Sequence, residues 1–258
     1  PDAIVAVTPA DHLILKEEKF TKVLLKGYEF ASQKDALLTL GIKPDRPETG
    51  YGYIQADRKK AVEGFESLYK VKTFTEKPDL ELARIFLESG DFYWNSGIFI
   101  WNTKSILAAF EKHLPDIYSS FWEGKDLLRT TREDSFISKT YASCKSISID
   151  YGIMEKAENV YVMCTDIGWS DLGTWSSLID HSKRDKKGNV VLQGEIYSYD
   201  NSGNLFSIPT GKIAVVQGMK DFIVVETDDV LLIVKREEEQ NIKNFLEDVR
   251  KGSKERYT

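Results

Sequence analysis

The chain has 258 residues, of which 41% are hydrophobic and 29% charged, so it can hold one large domain, or a large and a small one, around a core that needs no staples. Two cysteines, Cys144 and Cys164, exclude a disulfide framework and a zinc cluster and point to a reducing, cytoplasmic compartment. A formal charge of -6 excludes broad nucleic-acid binding, which needs a basic surface to displace counterions, and no apolar run approaches the ~20 residues of a membrane span.

In chain order, Ile4-Val5-Ala6-Val7 reads as a strand buried on both faces of a parallel sheet. A strand this apolar so near the first residue suggests a fragment of a longer protein, with the missing part upstream. Phe20, Val23, Leu24, Gly27 and Tyr28 follow at helical spacing, then Asp35 to Leu40 and Gly41, which gives a strand, helix, strand unit with a right-handed crossover. Pro44 to Pro47 breaks the pattern and Tyr69 to Phe74 resumes it as a strand. Asp79 can cap a helix whose Leu80, Ala83, Phe86 and Leu87 face inward and which Gly90 ends. Ile98 to Trp101 is a buried strand, Ile106, Leu107 and Phe110 mark a helix stopped by Pro115, and Gly124 to Ser135 is polar and poorly patterned. Tyr161 to Cys164 is the last strand of this half.

Beyond His181 the period changes. Lys183 to Gly188 is a charged connector, and short alternating runs follow at Val190-Leu192, Ile196-Tyr199, Leu205-Ile208, Ile213-Val216, Phe222-Val225 and Val230-Val234. Turn residues at Asn201-Ser-Gly203, Thr210-Gly211, Gly218 and Asp228-Asp229 separate them. A terminal helix carries Ile242, Phe245, Leu246 and Val249 on one face. These patterns predict two domains, residues 1–182 and residues 183–258, the second an all-β module ending in a helix.

Several polar residues stand where chemistry would need them. Asp11, in Thr8-Pro9-Ala10-Asp11-His12, follows the first strand, where ligands of open α/β sheets bind; it reads as a metal candidate or as a helix cap or turn former. Asp171 lies among two tryptophans and two glycines in Gly168-Trp-Ser-Asp-Leu-Gly-Thr-Trp175 and is either a ligand or the cap of a helix holding Trp175 and Leu178. Asp11 and Asp171 would make a Mg²⁺ pair if the fold brings them together, since that ion takes one or two carboxylates and fills its octahedron with phosphate oxygens. Thr49-Gly50-Tyr51-Gly52-Tyr53 could present backbone amides closely to a ligand, or be an ordinary glycine loop. Glu76-Lys77, at a strand end, could bind sugar hydroxyls and a phosphate, or be a surface ion pair worth little. The amide of Asn95, entering a buried strand in Trp94-Asn95-Ser96-Gly97, needs a partner in backbone or ligand.

Taken in order, Pro-Ala-Asp-His, Glu-Thr-Gly-Tyr-Gly-Tyr-Ile, Phe-Thr-Glu-Lys-Pro, Trp-Asn-Ser-Gly-Ile-Phe, Ser-Ile-Asp-Tyr-Gly-Ile-Met-Glu-Lys and Gly-Trp-Ser-Asp-Leu-Gly-Thr-Trp strongly resemble the mannose-1-phosphate guanylyltransferase (GDP-mannose pyrophosphorylase) family over nearly the whole chain, and residues 215–227 resemble its C-terminal β module. The resemblance implies an α/β nucleotidyl-transferase domain, a Rossmann-like mixed sheet with flanking helices that is incomplete at the N-terminus, followed by a small β-helix-like domain. It implies transfer of GMP from GTP to mannose 1-phosphate, giving GDP-mannose and pyrophosphate. Carried over residue by residue, it makes Asp11 and Asp171 the Mg²⁺ ligands and Lys77 the partner of the sugar phosphate, so that Asp11, Lys77 and Asp171 are the catalytic set. Gly52, Glu76 and Asn95 would line the mannose pocket, with Asp150 of Ile-Asp-Tyr-Gly beside it. Gly152 stands where the family usually has Ala. The family's Gly-x-Gly-Thr-Arg-Leu-x-Pro signature, which cradles the nucleotide phosphates, does not occur in this sequence, so the chain alone is expected to be inactive. A non-catalytic sugar-phosphate-binding or assembly subunit, or a transferase for another sugar or base, is the competing reading. Oligomeric state stays open, a homodimer among the options; nucleic acid and membrane are not expected partners.

Overall fold

The computed structural model describes residues 3–253. Packing divides them into two units, one of residues up to 10 and 14–169, the other of residues 11–13 and from 170 onward. The two-residue strands β2 (Leu13–Ile14) and β8 (Trp169–Ser170), placed in chain order among the elements below, mark where the chain passes between them.

The first unit is a mixed six-stranded sheet in the order β1-β6-β3-β7-β5-β4, with β1 (Ile4–Val7), β3 (Leu37–Ile42), β4 (Tyr53–Ala61), β5 (Leu68–Thr75), β6 (Phe92–Asn102) and β7 (Val160–Thr165). Its helices are α1 (Glu17–Gln33), α2 (Leu80–Ser89), α3 (Thr103–His113), α4 (Pro115–Glu123) and α5 (Glu133–Ser143). Every residue of β3 is buried, as a central strand covered on both faces requires. Leu38, Leu40 and Ile42 pack with Phe30 and Ala31 of α1 on one face. Leu37 packs with Phe99, Trp101, Ile153 and Val162 on the other.

Three sequence expectations are corrected here. Ile4–Val7 is an edge strand, antiparallel to β6, with Val5 and Val7 exposed at 37% and 46%; β6 separates it from its parallel counterpart β3, so the strand, helix, strand unit spans an intervening strand. Pro115 does not merely stop a helix but opens α4 from its first turn, where its missing N–H is no loss. Part of the poorly patterned stretch belongs to α5, whose first turn carries Glu133 and Asp134, acids that favour a helix N-terminus. Asp79 caps α2 through the N–H of Leu82, and Gly90 ends it in the left-handed region, as the spacing predicts.

The second unit contains α6 (Trp175–His181), the strands β9 (Val190–Gln193), β10 (Glu195–Tyr199), β11 (Leu205–Ser207), β12 (Ile213–Gln217), β13 (Phe222–Glu226) and β14 (Leu231–Lys235), and α7 (Ile242–Ser253). Strands β9, β11 and β13 stack in parallel, as do β10 and β12, so successive chain segments form the coils of a β-helix, closed by the antiparallel pair β13-β14. Buried asparagines join the coils at their corners. Asn189 Oδ1 accepts the backbone N–H of Asn204, Asn204 Oδ1 accepts that of Phe222, and Asn201 Oδ1 accepts that of Met219. Ile179 of α6 packs with Val190, Leu205, Ile223 and Val234, so the chain enters this unit before the charged connector at Lys183, with α6 as part of its core.

Candidate active site

In the first unit the site lies at the carboxyl end of the parallel pair β3-β7, where Gly41 and Ile42 face Asn95 and Trp94 of β6. Between Thr39 and Gly41 the register shifts, because β6 accommodates an irregularity at Asn95-Ser96-Gly97. Each residue of that triplet has a task. Asn95 Oδ1 accepts the N–H of Gly97 at 3.3 Å, the Ser96 hydroxyl donates to the carbonyl of Leu40 at 2.9 Å, and Gly97 adopts φ +70°, a conformation that a Cβ would strain. Phe92–Trp94 pair with β4, while Trp94, Asn95 and the residues beyond the bend pair with β3, and the last four residues of β6 also with β1.

That arrangement gathers five of the residues singled out from the sequence. The carbonyl of Gly52, just before β4, accepts the N–H of Asn95 at 2.8 Å, and the carbonyl of Tyr51 accepts that of Lys77 at 3.2 Å. The Lys77 ammonium donates to Glu76 Oε1 at 2.7 Å. Asn95 Nδ2 donates to Asp150 Oδ1 at 2.8 Å, Asp150 opening the π-helical turn Asp150–Met154. A Cβ on Gly52 would come within 2.3 Å of Glu76 Oε2 and 3.3 Å of Asn95 Cβ, so glycine here makes room for the carboxylate.

The Glu76-Lys77 pair is not the solvated surface pair that was one of its two readings. The carboxylate side chain is 7% exposed and the ammonium side chain 55%, so a buried acid is met by a lysine reaching in from solvent. Glu76 Oε2 is buried and has no hydrogen-bond partner among the described residues. Burial raises the Glu76 carboxyl above its usual range against the opposing bond from Lys77, and the Asp150 and Glu155 carboxylates push the same way as burial. Burial likewise raises Asp150, opposed by the donor from Asn95. The bond to Glu76 raises Lys77 and keeps it charged.

Three contributors escaped the sequence reading. Glu155 Oε1 accepts the backbone N–H of Glu76 at 3.0 Å and so holds the strand end. Tyr51 stands edge-on to Trp94 and Trp169, at centroid separations of 5.1 and 5.4 Å, forming an aromatic wall beside Gly52. Thr39 is the third, and its signal was visible: one hydroxyl in the otherwise apolar run Leu37 to Ile42.

Asp11 and Asp171 belong to the second unit. Neither serves as the helix cap that was the alternative for each. Lys16 occupies the cap position of α1, and Thr174 with Ser177 forms a capping box on α6. Asp171 Oδ1 accepts the N–H of Gly173 at 2.9 Å, while the Asp11 side chain is 87% exposed, 4.0 Å from His12 Nε2. Carboxylate oxygens are the hard donors Mg²⁺ takes, and one or two suffice when phosphate completes the shell. No group of three or more His, Cys, Asp or Glu that could hold a metal occurs among the described residues, so any ion here rests on such a small set.

Fold and pocket together define an α/β domain with a polar, carboxylate-lined site at its strand ends, the usual place for ligands of open sheets. The model of the family described as nucleotidyl transferase matches residues 1–188, and the chain belongs to that family. Mannose-1-phosphate guanylyltransferase of Escherichia coli is 34% identical over 247 residues, 95% of this chain and 52% of that protein. The alginate biosynthesis protein AlgA of Pseudomonas aeruginosa is 35% identical over 251 residues, 96% of this chain and 51% of that protein. The chain thus spans about half the length of the curated relatives it matches. The crystal structure of a Thermus thermophilus protein described as mannose-1-phosphate geranyltransferase superposes with a TM-score of 0.79 at 28% identity, over 96% of this chain and 70% of that one. No helix among the described residues is long and apolar enough to cross a membrane.

Proposed function

We propose that this chain is the sugar-phosphate-binding part of a mannose-1-phosphate guanylyltransferase, which joins GTP and mannose 1-phosphate to give GDP-mannose and pyrophosphate. The observation that carries the reading is the orphaned Glu76 Oε2, buried beside Gly52 and next to a lysine. A buried carboxylate oxygen without a donor costs free energy, and a sugar hydroxyl would supply that donor. The names of the relatives support the choice of mannose 1-phosphate and a guanine nucleotide, and the description of the structure that superposes at 0.79 supports mannose 1-phosphate.

In this reading Glu76 and Asn95 take hydroxyls of the sugar, Gly52 leaves space for the Glu76 carboxylate, and Asp150 fixes Asn95. Lys77 turns from Glu76 to the phosphate and holds its attacking oxygen in line with the α-phosphorus of the nucleotide, so that binding energy is spent on orientation. No covalent nucleophile is needed. Asp11 and Asp171 would hold Mg²⁺, which when bound offsets charge on the phosphate oxygens. The two unpaired cysteines and the soluble substrates support a cytoplasmic setting.

Calorimetric titration of the chain with mannose 1-phosphate, and with glucose 1-phosphate as comparison, tests this. Saturable binding of the mannose compound that Glu76→Gln weakens at least tenfold is expected. Absence of binding, or equal binding of both sugars by wild type and variant, would refute it.

A further inference from the structure

Thr39 is wholly buried in the central strand β3, and its hydroxyl reaches one of the groups that would meet a ligand. Its hydroxyl lies 3.0 Å from Asn95 Oδ1 and 3.1 Å from the carbonyl of Ile98. Asn95 Oδ1 also accepts the N–H of Gly97, at the longer distance of 3.3 Å, while Nδ2 donates to Asp150 Oδ1 at 2.8 Å. Two of these contacts set the orientation of the carboxamide, the Gly97 N–H toward its oxygen and the Asp150 carboxylate toward its nitrogen; the Thr39 hydroxyl, whose single proton is shared between Asn95 Oδ1 and the Ile98 carbonyl, adds a second donor to the oxygen. Thr39 supplies the shorter contact to the oxygen. When the hydroxyl donates to Oδ1, both acceptor directions of that oxygen are occupied, and one amide N–H goes to Asp150.

We propose that Thr39 is a positioning residue for sugar-phosphate recognition: its hydroxyl anchors the Asn95 carboxamide from behind, so that the amide nitrogen faces Asp150 and the ligand. The proposal rests on the sugar-phosphate reading of the pocket, yet its first consequence needs no ligand. Without the hydroxyl, Oδ1 keeps a single long bond in a buried setting, the carboxamide loses its fixed aim, and Asp150 loses a donor that favours its charged form.

The test compares Thr39→Val, which keeps the shape and removes the hydroxyl, with Thr39→Ser, which keeps the hydroxyl. The ionisation midpoint of the Asp150 carboxyl, followed by carbon-detected NMR in the ligand-free chain, should rise in Thr39→Val and return in Thr39→Ser. Affinity for mannose 1-phosphate should fall about tenfold in the valine variant and recover in the serine variant, the size expected for one well-placed hydrogen bond. If Thr39→Val does not fold, Thr39→Ala, which adds no bulk, carries the same comparison. An unmoved Asp150 midpoint, or a moved midpoint with unchanged affinity, overturns the positioning role. If the wild-type chain binds no sugar phosphate, the pocket reading falls, while the Asp150 midpoint still decides whether Thr39 aims Asn95.

Discussion

Replacing Gly52 by alanine isolates the steric requirement of the pocket. Gly52 is not among the residues with positive φ, so its backbone conformation accepts an L side chain and only space is at issue. The added Cβ would stand 2.3 Å from Glu76 Oε2, whereas carbon and oxygen in contact sit roughly 3.3 Å apart. Something must then move by about 1 Å. The nearest atom belongs to the end of a side chain tethered to a half-exposed lysine, so the carboxylate gives way rather than the sheet. A displacement of about 1 Å at a recognition group costs on the order of 10² in rate or binding, about 2.7 kcal/mol. Overpacking of the fold itself should cost no more than about 1–3 kcal/mol. Gly50→Ala is the control, because its Cβ would meet Glu48 Oε1 at an ordinary 3.4 Å. Calorimetry with mannose 1-phosphate and urea denaturation of both variants separate the effects. Wild-type affinity in a folded Gly52→Ala chain would refute a pocket built on the Gly52-Glu76 contact.

Glu76→Gln should weaken sugar-phosphate binding yet leave the chain at least as stable near neutral pH, since it removes a charge that burial disfavours. Burial raises Glu76 and Asp150 in the folded state, so their contribution to stability is full below the unfolded carboxylate pKa and is lost as pH rises through the folded value; thermal melts from about pH 4 to about pH 8 should show a smaller loss in the glutamine variant. In a polypeptide competent for guanylyl transfer, Asp171→Asn should lower kcat by roughly 10² to 10³ with altered Mg²⁺ dependence, while Lys77→Ala should also raise KM for mannose 1-phosphate; near wild-type kcat and Mg²⁺ dependence in a folded Asp171→Asn protein would remove the metal assignment. Burial pushes the Cys164 thiol up to about 12, so at about pH 8 it should resist alkylation in the folded chain and react once the chain is denatured, as peptide mapping by mass spectrometry would show.

The second half was the most legible part of the fold, because turn residues bracket each short strand and every alternating run became one: Val190–Gln193, Glu195–Tyr199 and their successors. Periodicity could not report pairing partners. Ile4–Val7 reads as a two-sided buried strand, yet it lies at the edge beside β6, a fact set by tertiary order rather than local pattern. Strand β4 was hidden because Asp57-Arg-Lys-Lys60 makes its second half polar and exposed. The site was legible where chemistry departs from pattern, at Glu76, Lys77 and Asn95. Glu155 was not, since it acts through a backbone N–H that no side-chain motif records.

The asparagine ladder of the second unit has a direction. In each of its backbone bonds the asparagine side chain lies earlier in the chain than the backbone group it meets: Asn189 before Asn201 and Asn204, Asn201 before Val216 and Met219, Asn204 before Met219 and Phe222. During synthesis the asparagine of every rung therefore leaves the ribosome before the backbone group that it will hold. Coils can close one upon another from the amino end, each newly emerged turn finding a finished template. A chain refolding from its full length has no such sequence imposed on it and must sort its coils by register alone. Cutting the chain behind a rung leaves the earlier rungs complete, whereas removing Asn189 takes away the foundation on which the next coil is laid.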